Sequence, residues 1–431
     1  MKKIIFLLLL IAGIYFGYSL YKNNKKEEPP KFIYEDLLNE IADKEVDVDT
    51  FTIYGKYLNL KGTLPVSEGK YSIVLKNNDE EIDISIETEE ARFSTNKYIN
   101  DGINLEKLKT GNYLLLLCDE KKEDESRTCY HLKNTTNYHE NKYYTMTKNL
   151  KNNLITFNEN SYNEHKYWEI SIKEEELPND VYDVVIDPGH GGIDTGAANG
   201  QYYESKYTLD YALALKDALE EIGLKVKLTR DTDKQLDIYG EGSRTGIPYE
   251  ANAKLMLSIH LNSSIYKSQK GVEIYRAYED NNAFAKTLAD NIVNHANTNY
   301  SINTENKIID GVYMRVYSSA DIKSQTNDAR KNGYEPYNFT NHETYYYFIR
   351  ETGGIMTHAF SDGRNPKYKE NLYRNRNQAV EAYLCELGYI SNMNDVTSII
   401  KNKDGYIKAL KNSVITYAEI SINNEESTSN N

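Results

Sequence analysis

Residues 181–192 read VYDVVIDPGHGG, and this stretch decides the fold of the second half of the chain. The apolar run at 184–186 predicts a short buried strand, and the glycines around His190 predict a sharp turn directly after it. Apolar side chains then recur every three or four positions over 209–222, which predicts a helix. Further strands are predicted at 225–229, 255–259, 271–278 and 382–386. This alternation predicts an α/β domain with a mostly parallel sheet.

Ionisable side chains follow several of these strands at the point where each strand ends. His190 lies just past the strand at 184–186, and His260 and Glu386 end two later strands. Glu204 begins the helix that follows the first strand. Because the carboxyl ends of parallel strands meet at one edge of a sheet, where ligands bind, we expect these four groups to lie close together.

Two imidazoles and a carboxylate are a typical ligand set for catalytic zinc, which leaves a fourth position for water. The predicted ligands are therefore His190, Glu204 and His260, and Glu386 is the predicted general base that takes a proton from water. Asp187 is predicted to orient His190 or to cap the turn. Each residue alone has a plainer structural explanation, such as a helix-opening glutamate that complements the helix dipole. The coincidence of four groups at one rim strengthens the case for a metal site, but spacing alone does not decide between the two explanations.

Length and charge limit the other functions that the chain can have. The chain has 431 residues, with 65 acidic against 51 basic side chains and a formal net charge of −14. At roughly 150 residues per domain, this length predicts two folded domains plus additional segments. Phosphate binding requires clustered Lys and Arg, so we expect no nucleic acid partner.

The N-terminus carries a candidate membrane segment. An uncharged, mostly aliphatic stretch at 4–21 follows two lysines. As a helix it spans about 27 Å, close to the hydrocarbon thickness of a bilayer. We predict an uncleaved transmembrane signal anchor at 1–21 rather than a cleaved signal peptide, because no small-x-small cleavage site follows. A charged, proline-containing linker at 22–35 then leads to an extracytoplasmic remainder, as in a single-pass protein of the cell membrane.

Residues 36–175 differ in character from the second half of the chain. Strand candidates separated by Asn, Asp and Gly clusters lie at 51–60, 71–76, 82–88, 113–118 and 167–172. Their number and spacing predict a β-rich, sandwich-like domain, which serves as a spacer or as a binding module. At the other end of the chain, the polar tail at 421–431 is predicted to be disordered.

The three cysteines do not form an obvious disulfide framework. Cys118 and Cys129 bracket an acidic stretch that resembles a hairpin tip, and the sequence leaves open whether they pair or remain thiols. Cys385 precedes Glu386 in a predicted strand. Because neighbouring strand residues point to opposite faces, the thiol is predicted to face away from the site and to pack in the core.

Five segments of the second half of the chain resemble, in order, the successive motifs of a known enzyme family. They read VVIDPGHGGIDTGA, YESKYTLDYALAL, GLKVKLTRDTD, LMLSIHLNSS and CELGYISN. Together they are similar to the zinc-dependent N-acetylmuramoyl-L-alanine amidases of the bacterial autolysin type, and the resemblance covers residues 181–420. No single segment is specific, but their combination and order are.

The resemblance implies a zinc ion bound by His190, Glu204 and His260, with Glu386 as the catalytic carboxylate. It implies a twisted, mostly parallel sheet flanked by helices. The implied reaction hydrolyses the amide bond between the lactyl group of N-acetylmuramic acid and L-alanine, so peptidoglycan is the expected partner. Asn262 matches a family position close to the site, where it would contact substrate or the ligands. Whether an activator protein is needed stays open.

The sequence departs from the compact family pattern within about 311–378. This insertion is either a lid or autoinhibitory segment over the zinc cleft, or a peripheral elaboration. Glu273 and Arg276 lie on a predicted strand and receive no role, because polar strand residues often face solvent.

Two other functions compete with the amidase reading of the whole chain. One is another zinc-dependent wall hydrolase, a peptidase or a deacetylase, and the order of the motifs disfavours it. The other is a membrane-anchored wall-binding scaffold, and the intact set of four site residues disfavours that one.

Overall fold

The computed structural model describes residues 35–41, 43–66, 69–120, 127–136, 140–162, 164–333, 336, 339–357 and 376–420. The predicted anchor at 1–21, the predicted linker up to residue 34 and the predicted tail at 421–431 lie outside these ranges. Across the described ranges, every helix is too short or too polar to span a bilayer.

Strands dominate the first part of the described chain, and helices alternate with strands in the second. The strands are β1 (Glu45–Tyr54), β2 (Tyr57–Thr63), β3 (Tyr71–Lys76), β4 (Glu81–Ser85), β5 (Glu87–Glu89), β6 (Arg92–Ser94), β7 (Ile103–Asn104), β8 (Gly111–Asp119), β9 (Cys129–Asn134), β10 (Lys142–Tyr144), β11 (Asn152–Tyr162), β12 (His165–Glu175), β13 (Val184–Pro188), β14 (Ala198–Asn199), β15 (Tyr202–Tyr203), β16 (Val226–Leu228), β17 (Leu255–Asn262), β18 (Glu273–Tyr275), β19 (Lys307–Ile309), β20 (Val312–Tyr313), β21 (Gln378–Ala379) and β22 (Glu381–Tyr389). The α-helices are α1 (Glu35–Ile41), α2 (Glu204–Glu220), α3 (Gly246–Glu250), α4 (Ala283–Ala296), α5 (Ser319–Lys331), α6 (Tyr347–Thr352), α7 (Met393–Lys401) and α8 (Lys403–Ala418).

The β-rich region forms one curved sheet around an apolar core. Its strands pair in the order β10-β11-β12-β8-β9-β1-β2-β6-β5, and β3, β4, β7 and β21 attach to this path. The ring of Phe51 on β1 lies 5.1 Å from that of Phe157 and 5.3 Å from that of Trp168, so distant strands meet across the core. The sequence predicted a sandwich-like arrangement. The structure has one continuous sheet instead, because β9 pairs with β8 on one side and with β1 on the other.

The run at 51–60, predicted as a strand, is a hairpin. Tyr54 pairs with Tyr57 across a two-residue turn at the end of β1. The turn contains Gly55 with φ of +57°, a backbone conformation that glycine adopts without strain. Apolar and polar residues alternate over 51–60, but buried and exposed residues do not, since Asn59 and the neighbouring apolar residues are all buried. Both faces of this hairpin are covered, one by the β-rich core and one by the α/β region.

The second sheet has the order β16-β13-β17-β22-β18-β20-β19. Four of its neighbouring pairs are parallel, and only β18 with β22 and β19 with β20 are antiparallel. The prediction of a mostly parallel sheet is confirmed. Helices pack on both of its faces: α2, α4, α7 and α8 on one and α6 on the other.

Alternate residues of the central strands face these two helical layers. Leu257 and Cys385 belong to the core beneath α2 and α8, whereas Met256 and Leu384 belong to the core beneath α6. Glu386 follows the same alternation and therefore faces the α6 side. The predicted packing of Cys385 away from Glu386 is confirmed, and its thiol is buried and free.

Cys118 and Cys129 form a disulfide between β8 and β9. The two residues stand directly opposite each other in the antiparallel register. The sequence left this pairing open, and the structure contains the bond, which suits a protein exposed to an oxidising compartment.

The β-rich region and the α/β region share a backbone ladder and buried polar contacts. Ile53 of β1 pairs with Gln378 of β21, so a strand of the insertion extends the β-rich sheet. The Lys56 ammonium donates to the carbonyl oxygen of Tyr417 at 2.7 Å and pairs with the Glu419 carboxylate at 3.1 Å. The end of α8 is therefore tied to the hairpin between β1 and β2.

Candidate metal centre

His190 lies just past the carboxyl end of β13, in a turn that an arginine holds. Its φ is +61°, in the left-handed region that residues with side chains rarely adopt. Arg244 donates to the carbonyl oxygen of His190 and, at 2.9 Å, to that of Pro188. Asp187 pairs with the same guanidinium at 2.6 Å. Asp187 therefore acts on the turn through Arg244, and the described contacts do not join it to the imidazole.

Glu204 begins α2 and stands between two imidazoles. Its Oε2 lies 3.2 Å from Nε2 of His190, and its Oε1 lies 2.9 Å from Nδ1 of His260. One ligand atom from each of the three residues falls within 4.8 Å of the others. The structure thus brings together the three predicted ligands, from a turn, a helix start and the strand β17.

The backbone around these three side chains leaves no room for additional atoms. A Cβ at Gly189 would lie 2.4 Å from Cε1 of His260. A Cβ at Gly196, where φ is +65°, would lie 2.6 Å from Oε2 of Glu204 and 2.6 Å from Cδ2 of His190. The two glycines therefore permit the close convergence of two nitrogen donors and one carboxylate, which is the donor set that zinc prefers.

The local electrostatics favour a positive charge between these groups. Burial acts to raise the pKa of Glu204, yet the two imidazoles hold it well below its usual value. Burial acts to lower the pKa of His190, but Glu204 and Asp194 together raise it. Carboxylates that attract protons onto an imidazole attract a metal cation by the same Coulomb interaction.

Asp194 is the acid that orients the His190 ring. Its Oδ2 lies 2.9 Å from Nδ1 of His190, which leaves Nε2 directed toward Glu204. Its backbone also pairs with Gly191 across the turn. A carboxylate that fixes the tautomer and the ring of a metal-binding histidine is a common feature of such sites.

Glu386 shares the rim with the three-residue group and has a buried oxygen that no described residue pairs with. It pairs in register with His260 across β17 and β22, so the two side chains share a face. It is 9% exposed, and its Oε2 is buried and makes no hydrogen bond with the described residues. Burial, together with the negative charges of Glu204 and Glu273, raises its pKa well above the usual range. A buried, unpaired carboxyl group at this point is suited to exchange a proton with a reacting molecule.

Glu273 lies opposite Glu386 in the antiparallel register of β18 and β22. The expectation that it faces solvent is wrong, because its side chain is fully buried. Its Oε2 accepts from Nδ2 of Asn262 at 2.9 Å and from the hydroxyl of Tyr275 at 2.7 Å. Its Oε1 accepts from the hydroxyls of Ser301, at 2.7 Å, and Tyr389. The predicted site residue Asn262 thus reaches the site through this buried carboxylate.

The described part of the insertion lies at the site as well. The ring of Phe348, at the start of α6, stacks on that of His260 with a centroid distance of 6.5 Å and an interplanar angle of 12°. Tyr346 packs edge-on against Tyr275 at 4.9 Å. The buried Arg350 holds this segment by donating to the carbonyl oxygens of Thr344, at 2.8 Å, and Tyr345, at 3.0 Å. This segment is therefore a wall of the site and not a peripheral elaboration, whereas most of α5 is exposed.

Sequence reasoning missed Asp194, Glu273 and the aromatic wall at 345–348. A signal for Glu273 existed in the chain length between strands. The connection at 263–272 is too short for the helical crossover that a parallel strand needs, so β18 runs antiparallel and begins at the site. Asp194, four residues after His190 in a glycine-rich turn, offered only its spacing as a signal.

Comparisons with known proteins agree on one family. A family model described as N-acetylmuramoyl-L-alanine amidase matches residues 184–415, which is more than half of the chain. The chain is 32% identical over 124 residues to the germination-specific N-acetylmuramoyl-L-alanine amidase of Bacillus subtilis, covering 25% of this chain and 52% of that protein. It is 32% identical over 108 residues to the probable cell wall amidase LytH of Staphylococcus aureus, covering 24% of this chain and 34% of that protein.

The chain thus spans about half the length of the first relative and about a third of the second. Among solved structures, the catalytic domain of CwlV, an N-acetylmuramoyl-L-alanine amidase from Bacillus (Paenibacillus) polymyxa var. colistinus, aligns at 21% identity with a TM-score of 0.37. That alignment covers 56% of this chain and 100% of the other.

Proposed function

Because the chain belongs to the N-acetylmuramoyl-L-alanine amidase family, we propose that it hydrolyses the amide bond between the lactyl group of N-acetylmuramic acid and L-alanine of the stem peptide. One observation carries the proposal: the donors of His190, Glu204 and His260 converge within 4.8 Å, and Glu386 shares the face of His260. The natural substrate would then be peptidoglycan.

Each residue has a distinct role in this proposal. His190, Glu204 and His260 would hold a zinc ion, and when bound it supplies the Lewis-acid chemistry that polarises the scissile carbonyl and activates water. Glu386 takes a proton from the attacking water and delivers it to the nitrogen of the leaving L-alanine. The same burial and neighbouring charges that raise its pKa make the ionised carboxylate a stronger base than an ordinary glutamate, which suits proton uptake from water.

The surrounding residues position these groups. Asp194 holds the His190 ring, and Arg244 holds the turn in which the ring stands. The Phe348 ring stacks on that of His260 at a centroid distance of 6.5 Å, so an apolar surface borders the site on that side. An apolar surface beside the site strengthens the charge interactions on which proton transfer and carbonyl polarisation depend.

Product identification with the purified chain and isolated peptidoglycan tests the proposal. The amidase reaction releases stem peptides with a new N-terminal L-alanine and leaves glycan strands with free lactyl carboxylates. Cleaved cross-links would indicate a peptidase and released acetate a deacetylase, and either outcome would replace the proposed reaction. A chelator should abolish the amidase products, and the variant Glu386→Gln should reduce them strongly. Peptidoglycan bound without any metal-dependent product would favour a wall-binding scaffold.

The proposed substrate requires that the catalytic region work outside the cytoplasm. We propose that the uncharged stretch at 4–21 anchors the chain in the cell membrane as a single-pass protein, with the α/β region facing the wall. The disulfide between Cys118 and Cys129 supports an oxidising location. Membrane fractionation with externally added protease checks this: both regions should be digested in intact protoplasts.

A further inference from the structure

A cleft of about 290 Å³ lies between the β-rich sheet and the α/β region. Val181, Lys254 and Val380 line it, and these residues immediately precede or lie close before β13, β17 and β22. The metal-binding group and Glu386 lie toward the opposite, carboxyl ends of the same strands. The cleft is therefore separate from the catalytic rim, and its volume is at the lower end of the range for small-ligand sites.

The charges that line this cleft are mostly positive. Among the described residues that line it, Lys142, Lys254 and Arg376 contribute three cations, and Glu140 is the one acid. That acid is already engaged, since Oε1 pairs with Nε of Arg376 at 2.6 Å and Oε2 accepts from a backbone amide. Two ammonium groups thus remain without an acidic partner in the cleft. In a chain of net charge −14, such a surplus marks a place that attracts anions.

The ammonium of Lys254 is buried, whereas Lys142 is exposed to water. Lys254 is 3% exposed, and among the described residues its Nζ has one long hydrogen bond, 3.4 Å to the carbonyl oxygen of Tyr182. Burial lowers its pKa, although Asp183 and Glu106 oppose that effect. Both acids are committed to other groups: Asp183 accepts from the backbone amide of Lys225 at 2.7 Å, and Glu106 pairs with Lys148 at 3.3 Å. An ammonium group has three donors, so Lys254 retains capacity for an oxygen ligand.

The remaining walls suit an organic molecule rather than a bare ion. The rings of Tyr143, Tyr144 and Tyr249 line the cleft, together with aliphatic side chains such as Ile53. Nζ of Lys254 lies 5.9 Å from the ring centre of Tyr143, so the charge and the aromatic surface are adjacent. A tyrosine side chain offers a large apolar ring together with a polar hydroxyl group, which suits an organic ligand with both kinds of surface.

We propose that this cleft is a second, non-catalytic site that binds a carboxylate-bearing fragment of peptidoglycan. The inference rests on the proposed function for the identity of the ligand class. Two sources share the chemistry: the lactyl carboxylate of N-acetylmuramic acid on a glycan strand, and a carboxylate of a stem peptide. A ligand here touches both regions, because Tyr143 belongs to the β-rich sheet and Lys254 to the α/β region. The β-rich region then helps to hold the enzyme on the wall.

Calorimetric titration of the full chain carrying Glu386→Gln tests this site without turnover. The probes are free N-acetylmuramic acid and a synthetic stem tetrapeptide, each compared with its methyl ester. We expect one acid to bind and its ester to bind at least tenfold more weakly, because the ester lacks the charge-assisted hydrogen bonds. The acid that binds identifies the source.

Two lysine variants locate the binding. Lys254→Met should weaken binding by at least about tenfold. Lys142→Ala should weaken it by about threefold, and because Lys142 is exposed this change should not disturb the fold. Lys61→Ala, an exposed lysine on β2 away from the cleft, is the matched control and should bind as the parent does. If both cleft variants bind the acid as tightly as the parent does, the proposal is wrong. It is also wrong if neither probe binds to the parent. Wall hydrolysis by the wild type, assayed separately, reports on the proposed function alone.

Discussion

Strand β22 carries two buried glutamates, and their surroundings differ in one decisive respect. Glu381, at its first residue, accepts hydrogen bonds from Asn100 at 3.2 Å, from Tyr383 and from Tyr417 at 2.8 Å. Glu386, five positions later, has a buried oxygen without any partner among the described residues. Burial raises the pKa of both carboxyl groups. The same residue type on the same strand thus meets a satisfied environment at one end and an unsatisfied one at the other.

The difference separates a structural role from a chemical one. Glu381 joins three parts of the fold, since Asn100 belongs to the β-rich region and Tyr417 to α8. An unsatisfied buried acid such as Glu386 costs stability, and it persists where a reacting molecule completes its hydrogen bonds. Exposure alone does not distinguish the two residues, because both are buried. The number of hydrogen-bond partners distinguishes them, since Glu381 has three and Oε2 of Glu386 has none among the described residues.

The largest expected effect is on catalysis at Glu386. Glu386→Gln should lower the rate of wall hydrolysis by about a hundredfold to ten-thousandfold, because the amide cannot carry the proton from water to the leaving group. Zinc content should stay unchanged, since Glu386 is not in the donor group. Initial rates of peptide release, with zinc measured by mass spectrometry, check both points.

Glu381→Gln is the matched control for that experiment. The amide keeps the size of the carboxyl group and should leave the rate of hydrolysis by the folded enzyme within about threefold of the wild type, since its partners are structural. Comparable losses of activity in the two variants, at equal folded fractions, would show that the count of partners does not separate the two roles.

The second effect in size concerns the acid behind His190. Asp194→Asn should weaken zinc binding by about 10-fold to 100-fold, because the amide holds the imidazole tautomer less firmly than the carboxylate does. Competition with a chromogenic chelator measures the affinity. Asp231→Asn is the control, at an exposed acid whose side chain pairs with Lys234 at 3.7 Å. If the two variants bind zinc equally well, Asp194 has no special role in positioning the ring.

The parallel core of the α/β region was predictable from sequence because its signals are local. Val184 to Ile186, the strand at 255–259 and the helix face at 209–222 each carry a periodicity that needs no knowledge of the rest of the fold. The hairpin at Gly55 was missed because both of its faces are covered, which removes the usual contrast between buried and exposed positions. The single sheet of the β-rich region depends on long-range pairing through β9, which no local pattern encodes.

The candidate site was predictable where residues follow strand ends, and not where they arrive from elsewhere. His190, His260 and Glu386 come from parallel strands whose ends share one edge, so their proximity followed from topology. Glu273 reaches the same place from a strand of opposite direction. Phe348 reaches it from an insertion without periodicity, and its contact with the His260 ring depends on tertiary packing alone.

A third effect should appear in the pH dependence of stability, at Asp280, which lies near Glu381 at the start of β22. Burial, and then the charge of Glu381, raises the pKa of Asp280, while Arg276 opposes this and Glu279 adds to it. The native state therefore keeps a proton that the unfolded chain releases above its ordinary pKa of about 4. Stability from this source is present at low pH and is lost as the pH rises, by up to about 1.4 kcal/mol per pH unit for one proton.

The variant Asp280→Asn should remove this slope. Urea unfolding between pH 5 and pH 8 should show that the wild type loses more stability than the variant over this interval. The hydroxyl of Tyr54, 3.4 Å from Oδ2, remains able to donate to the amide oxygen. If the free energy of unfolding depends on pH in the same way in the two proteins, Asp280 is already ionised in the folded state at pH 5.

The smallest effect should come from one hydroxyl at Glu381. Tyr417→Phe removes the hydrogen bond to Oε2 and should lower the free energy of unfolding by about 1 kcal/mol, because a buried acceptor loses a donor while the aromatic packing stays. Tyr406→Phe, in the same helix, removes a hydroxyl that is 3.5 Å from that of Ser398 and should cost less than half as much. The rate of wall hydrolysis should be unchanged in both variants. A loss of rate in Tyr417→Phe alone would show that the contacts of Glu381 influence the catalytic end of β22. The two glutamates would then not be independent.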